Sequence, residues 1–183
     1  MATENVIVNG IRTLDDFKKF HTYHFEKIKR NYVLFTTILT MLLYFIVIQM
    51  IFSYVFDFNN VWLLSFVVAL ILSLLTAAAS IFFMKVAVNY RSVSEYKSDP
   101  TLQYEIIYHF SKDVIKQEKG RSIEYFKWNE IFSVNEHQDM YLLYVSKYKA
   151  SIVAKRFFET RDEEELFKLL VSNNIPASKV NWI

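Results

Sequence analysis

The chain of 183 residues has no cysteine and only two glycines and two prolines. Without thiols there is no disulfide, no thiolate nucleophile and no Cys-ligated zinc or iron–sulfur centre. There is no Gly-rich phosphate loop, no Walker motif, no G-x-S-x-G elbow and no H-E-x-x-H pair. Two long stretches also lack charge. Neither Tyr32 to Phe56 nor Val61 to Met84 contains Asp, Glu, Lys, Arg or His. At ~1.5 Å rise per residue, a helix over either stretch exceeds the ~30 Å hydrocarbon core of a bilayer. Soluble helices seldom stay uncharged this long. The sequence therefore predicts two transmembrane helices, joined by Asp57-Phe58-Asn59-Asn60 into an antiparallel hairpin.

What flanks these runs sets their orientation. Lys27, Lys29 and Arg30 precede the first, and Lys85, Arg91 and Lys97 follow the second, whereas the connection has no basic residue. The positive-inside rule then puts both termini in the cytoplasm and the turn outside, in a multi-pass protein of the plasma membrane. Tyr54, Phe56, Phe58 and Trp62 fit an outer aromatic belt, and Tyr32, Phe82 and Phe83 an inner one. The first run starts late and follows Glu4, Asp15, Asp16 and Glu26, unlike a cleaved signal. Ala69, Ser73 and Ala77 recur at a spacing of four, which allows close approach to Thr36, Thr40 or Tyr44. With Gln49 the strongest polar group in the spans, a proton or ion pathway has no residues to use. The hairpin reads as an anchor in the lipid bilayer.

Outside the spans, Asn5 to Val8 is β-like and Asn9-Gly10 reads as a turn. Thr13-Leu14-Asp15-Asp16 approximates a capping box. The helix it opens carries Leu14, Phe17, Phe20, His21, His24, Phe25 and Ile28 on one stripe, read as an amphipathic face near the headgroups. His21 and His24 have H-x-x-H spacing, but two ligands without a third do not make a metal site. After Tyr90 come short alternating segments: Tyr104 to Phe110, Val114-Ile115, Ile123 to Tyr125, Phe132 to Glu136, Tyr141 to Ser146 and Ser151 to Ala154. Turns fall at Ser111-Lys112-Asp113, Lys119-Gly120, Gln138-Asp139 and Lys147-Tyr148-Lys149. Thr160-x-x-Glu163 caps a helix with Leu166, Phe167, Leu170 and Val171 on one face, ending near Asn173-Asn174 and Pro176. The expectation is a membrane α-helical hairpin plus an α+β domain of about six short antiparallel strands, sheet-like or barrel-like, with a C-terminal helix. It divides the chain into 1–31, 32–84 and 85–183.

The hairpin, the segment "WNEIFSVNE", the run "MYLLYVSKYKASIVAKRFF" and the helix "DEEELFKLL" together resemble the YcxB-like family of bacterial membrane proteins. Trp128, Ile131 and Phe158 occupy its structural motif positions, and Lys155 and Arg156 its basic pair. Ala154 stands where the family usually has proline, which bears on the bend there. The resemblance implies a pleckstrin-homology-like cytoplasmic domain and brings no activity, catalytic residue or cofactor.

Charge argues against a nucleic-acid partner: residues 1–31 carry +2 and residues 85–183 carry +1, without the concentrated positive face such binding needs. The acidic pairs Asp15-Asp16 and Asp162 to Glu165 sit at helix starts, where the dipole stabilises them. His109 and His137 have no nucleophile beside them in the sequence. The reading is a non-enzymatic interaction or regulatory module with an unidentified protein partner. The alternative is a small accessory subunit whose hairpin binds a larger membrane complex such as a transporter. Lys155 and Arg156 carry two readings. They neutralise Glu159 and Asp162 to Glu165 at the next helix start, or they contact an anionic lipid headgroup. In an extended strand they point to opposite faces, so one pocket takes both only if the chain bends.

Overall fold

A computed structural model describes residues 5–55 and 61–183, with the side chains of 27 and 28 left aside. The connection 57–60 and the belt residues Phe56 and Phe58 lie outside the described residues. The elements are β1 (Val6–Ile11), α1 (Leu14–Val55), α2 (Trp62–Ser98), β2 (Glu105–Phe110), β3 (Val114–Lys119), β4 (Ser122–Lys127), β5 (Ser133–Glu136), β6 (Met140–Tyr144), β7 (Ala150–Ala154), α3 (Arg161–Asn174) and β8 (Val180–Asn181). Short 3-10 turns at Pro100–Gln103, Trp128–Glu130, Lys155–Phe157 and Ala177–Lys179 link them. Two compact units result: residues up to 23 together with 92–183, and His24–Arg91.

In the first unit the strands form two four-stranded sheets, in the orders β1-β2-β3-β4 and β7-β6-β5-β8. All pairs are antiparallel except β5 with β8, which is parallel. The sequence shows about six strands; β1 and β8 complete the sheets. β1 hydrogen-bonds along β2, with Val8 opposite Tyr108 and Ile11 opposite Glu105. The N-terminal segment is thus the edge of a sheet whose other strands follow both long helices. The strand also runs through Asn9-Gly10, where the sequence suggests a turn. Gly10 is needed there for another reason: a Cβ would overlap the Phe157 ring. Gly120 does need its freedom, with φ of +58° in the turn from β3 to β4.

Alternation decides which faces are buried. In β2, Ile106, Tyr108 and Phe110 are buried and their neighbours are not. These join Val6, Val8, Val134, Tyr141, Leu143 and Val153, and α3 closes the core with Phe167, Leu170 and Val171. β6 shows no alternation, because both of its faces are covered. Met140, Leu142 and Tyr144 point away from the main core and pack with Phe17, Leu102 and Ile152. Phe20, Tyr23 and Tyr96 border that second cluster. Phe17 and Phe20 of the stripe at the start of α1 are therefore packed on a sheet rather than on headgroups. β3 is longer and more polar than Val114-Ile115 suggests, since Ile115 alone is buried while Lys116 to Lys119 pair between β2 and β4. Tyr104 falls outside β2 because Asp99 caps the Pro100–Gln103 turn through the Thr101 N–H.

α1 and α2 each contain a stretch long and apolar enough to cross a membrane, within Lys29–Val55 and Trp62–Ser98. Val61, Ser65, Ala69 and Ser73 are buried at a spacing of four, and the Phe45 and Phe66 rings meet edge to face at 6.4 Å. The Thr36 and Thr40 hydroxyls donate back to carbonyls of their own helix, at 2.8 and 2.9 Å.

Candidate functional site

Chemistry-bearing side chains concentrate where β7 ends. Lys155 and Arg156 lie in the 3-10 turn that follows it. Ala154 has φ of −70°, the angle a proline ring would fix, so the bend does not require proline. Even with that bend the two cations diverge.

Arg156 reaches α1. Its guanidinium donates to both carboxylate oxygens of Asp16 and, at 3.0 Å, to the Ile11 carbonyl. The Asp16 side chain is only 6% exposed and also accepts from the Thr13 N–H at 2.6 Å and the Thr13 hydroxyl at 2.9 Å. Burial raises the Asp16 pKa, but the Arg156 and Thr13 hydrogen bonds outweigh it and hold the carboxyl below its ordinary value. One residue thus caps α1 and receives a planar two-pronged donor from β7's far end. Three and seven residues along the same helix face, Lys19 pairs with Asp139 and the Tyr23 hydroxyl donates to Asp139 at 3.0 Å. The Tyr23 ring stacks on His137 with centroids 4.0 Å apart. Asp139 is pushed up by burial and pulled further down by Lys19 and Tyr23. His21, buried, has its Nε2 3.4 Å from Glu95, and Tyr96 donates to the Arg12 carbonyl at 3.1 Å. The start of α1 and the end of α2 are both fastened to the sheets.

Lys155 goes the other way. Its ammonium lies 2.6 Å from Glu136 Oε1, and Lys168 of α3 approaches the same oxygen at 2.8 Å. The Tyr141 hydroxyl shares its one proton between Glu164 and, at 3.2 Å, Glu136 Oε1, and the Ile183 N–H donates to Glu136 Oε2 at 3.3 Å. Burial raises the Glu136 pKa, yet the two lysines bring it down to about 2. Burial first, then the Glu164 hydrogen bond, raises the Tyr141 pKa far above its ordinary value. Of the acidic partners expected at the start of α3, Glu164 approaches the pair, at 3.9 Å from Lys155. The principal partners are Glu136 and Asp16, one on β5 and the other 140 residues upstream.

The remaining sequence candidates lie in the core. Trp128 is buried and its indole N–H donates to the Ser111 carbonyl at 2.8 Å. Ile131 is buried just after that turn, and Phe158 meets the Tyr141 and Phe167 rings at 6.0 and 5.4 Å. His21 and His24 are not joined by further ligands: among the described residues no group of three or more His, Asp or Glu is placed to hold a metal ion. Asp16, Asp139 and Glu136 carry the ionic contacts without a sequence signal beyond a cap, a turn and a strand end.

The architecture defines the class: a two-sheet domain closed by a C-terminal helix and interrupted, between its first and second strands, by two long apolar helices. Residues 110–171 match the family model of YcxB-like proteins, so the chain carries a YcxB-like domain. The match takes in Trp128, Ile131, Lys155, Arg156 and Phe158 and leaves β1 and both long helices outside it. Neither the curated proteins nor the solved structures give a match.

Proposed function

We propose that this is a two-span membrane protein whose hairpin anchors a pleckstrin-homology-like module, with both termini cytoplasmic, acting as a non-enzymatic interaction or regulatory element. The observation that carries the reading is the pairing of β1 with β2 across the hairpin. Strands of one sheet lie on one side of any membrane, so α1 and α2 cross it together or not at all. Their surfaces favour crossing. Leu34, Phe35, Met50, Leu63, Leu75 and Phe83 are each more than half exposed. In water that contiguous apolar face would far exceed the few hundred Å² a soluble surface tolerates. The pleckstrin-homology-like reading is supported by two sheets packed on a shared core under α3. The Asp16–Arg156 and Lys19–Asp139 contacts suit a regulatory role, because they tie the lead-in to the first span to the end of β7 and the β5–β6 turn.

The absence of cysteine makes the topology directly testable. Single cysteines at Asn59 and Ser172 are labelled with an impermeant thiol reagent on intact cells. Labelling at Asn59 alone is expected; labelling at Ser172 alone reverses the orientation. Crosslinking of the full chain in native membranes, followed by mass spectrometry, then identifies the partner. Crosslinks confined to the hairpin would favour the accessory-subunit reading.

A further inference from the structure

At one end of the first sheet, the cations Arg12, Lys119 and Arg121 outnumber the carboxylates Asp99 and Glu124. The register puts Gly10, Ile106, Lys119 and Ser122 in one row across the four strands. Ile106 is buried, so this row faces the core, and Arg12, two residues beyond Gly10, continues the same face past the end of the sheet. Here the turn Gly120-Arg121 and the residues Thr101 and Tyr104, just after α2, border an open cleft of about 720 Å³. Lys119, Ser122 and Glu124 complete its walls. The volume falls in the range of ligand pockets, ~300–1,000 Å³.

Arg12 is the unusual member. It is 8% exposed and its Nε is buried without a hydrogen-bond partner. A guanidinium cannot shed its proton, so burying one unpaired is costly. Its charge bears on Lys119, whose ammonium is held below the usual lysine range by burial first and by Arg12 second. Asp99 and Glu124 offset part of this charge from a distance.

We propose that this cleft binds a phosphate group, with Lys119 and Arg121 as direct contacts, Ser122 as a hydroxyl donor, and Arg12 as the charge behind them. Glu124 is the carboxylate that an incoming anion must tolerate. The phosphate can belong to a lipid headgroup or to a soluble phosphoester, and the chemistry of the cleft is the same for both. The inference does not depend on where the apolar helices sit.

The test uses the full chain. In detergent it is titrated with inorganic phosphate and with glycerol phosphate by calorimetry; in nanodiscs its melting is compared between neutral and phosphatidylglycerol-containing bilayers. Each cation near such an anion contributes a factor of about five, so Lys119→Gln and Arg121→Gln are each expected to weaken binding about fivefold. Glu124→Gln is expected to strengthen it. Lys112→Gln, in the exposed β2–β3 turn, serves as the control for diffuse charge. Binding in both arms with this pattern supports the site and a soluble phosphoester; the pattern in the nanodisc arm alone supports it with a lipid source. Absence of binding in both arms overturns the proposal, as does equal weakening by Lys112→Gln, or a Glu124→Gln variant that binds no better. Melting of each variant without ligand separates lost binding from lost folding.

Discussion

Removing Arg156 measures how firmly α1 is held to the β domain. Arg156→Gln deletes a two-pronged ion pair to Asp16 and the bond to the Ile11 carbonyl. Hydrogen bonds to charged groups contribute roughly 1.5–3 kcal/mol each. Arg156 is 47% exposed, so solvent screens much of its share, whereas the Asp16 carboxylate it leaves is nearly enclosed. The net loss is about 2 kcal/mol, since Thr13 still donates twice to Asp16. The first unit spans about 115 residues, for which 2 kcal/mol lowers Tm by roughly 6–10 °C. Full-length chain in detergent, followed by near-UV circular dichroism, gives the midpoint. A double-mutant cycle with Asp16→Asn isolates the pair, and a coupling above ~1 kcal/mol is expected. The Asp16 pKa is depressed, so its stabilisation is present above the unfolded value and is lost as pH falls through the folded one; the variant's melting should flatten in that acid range. Unchanged melting together with loss of salt-sensitive binding to anionic vesicles would refute this reasoning and return Arg156 to the lipid surface.

Glu136, with its pKa at about 2 against an ordinary 4.5, contributes up to about 3 kcal/mol above pH 4.5, lost between pH 4.5 and 2. Acid titration of Glu136→Gln should lack that component, and an unaltered acid limb would count against it. Trp128→Ala should cost about 3–5 kcal/mol and prevent stable folding, whereas Trp128→Phe, losing the bond to Ser111 and part of the ring volume, should cost about 1–3 kcal/mol by urea unfolding. Gly10→Ala should destabilise by 1 kcal/mol or more through overlap with Phe157 and should be relieved by Phe157→Leu; wild-type melting in the single variant would remove the close-approach account.

Several features were legible because they are local. The alternation at Ile106, Tyr108 and Phe110 marks β2, the uncharged runs mark α1 and α2, and Thr160 accepts the Glu163 N–H at 3.2 Å as a T-x-x-E cap should. The misses are long-range. Asn9-Gly10 has turn chemistry, and only the partner strand and Phe157 keep it extended. The polar stretch Lys116 to Lys119 carries little apolar signal, because one face of β3 meets water. Thr13-x-x-Asp16 was readable as a cap, yet nothing local shows that its aspartate also receives an arginine from the opposite end of the chain. The bend after Ala154 and the divergence of Lys155 from Arg156 likewise follow from partners far away in sequence.

The placement of β1 has a consequence for how the protein is made. β1 is synthesised first, but β2 follows 93 residues later, after both apolar helices. At ~5–20 residues per second of synthesis, the first strand waits roughly five to twenty seconds for its partner. During that wait Val6 and Val8 have no core to enter. If one helix alone were threaded across a bilayer, β1 and β2 would be stranded in different compartments. The sheet would then lack an edge and the core two valines. Closure of the first sheet thus requires that the two helices, if they cross a membrane, cross it as a pair.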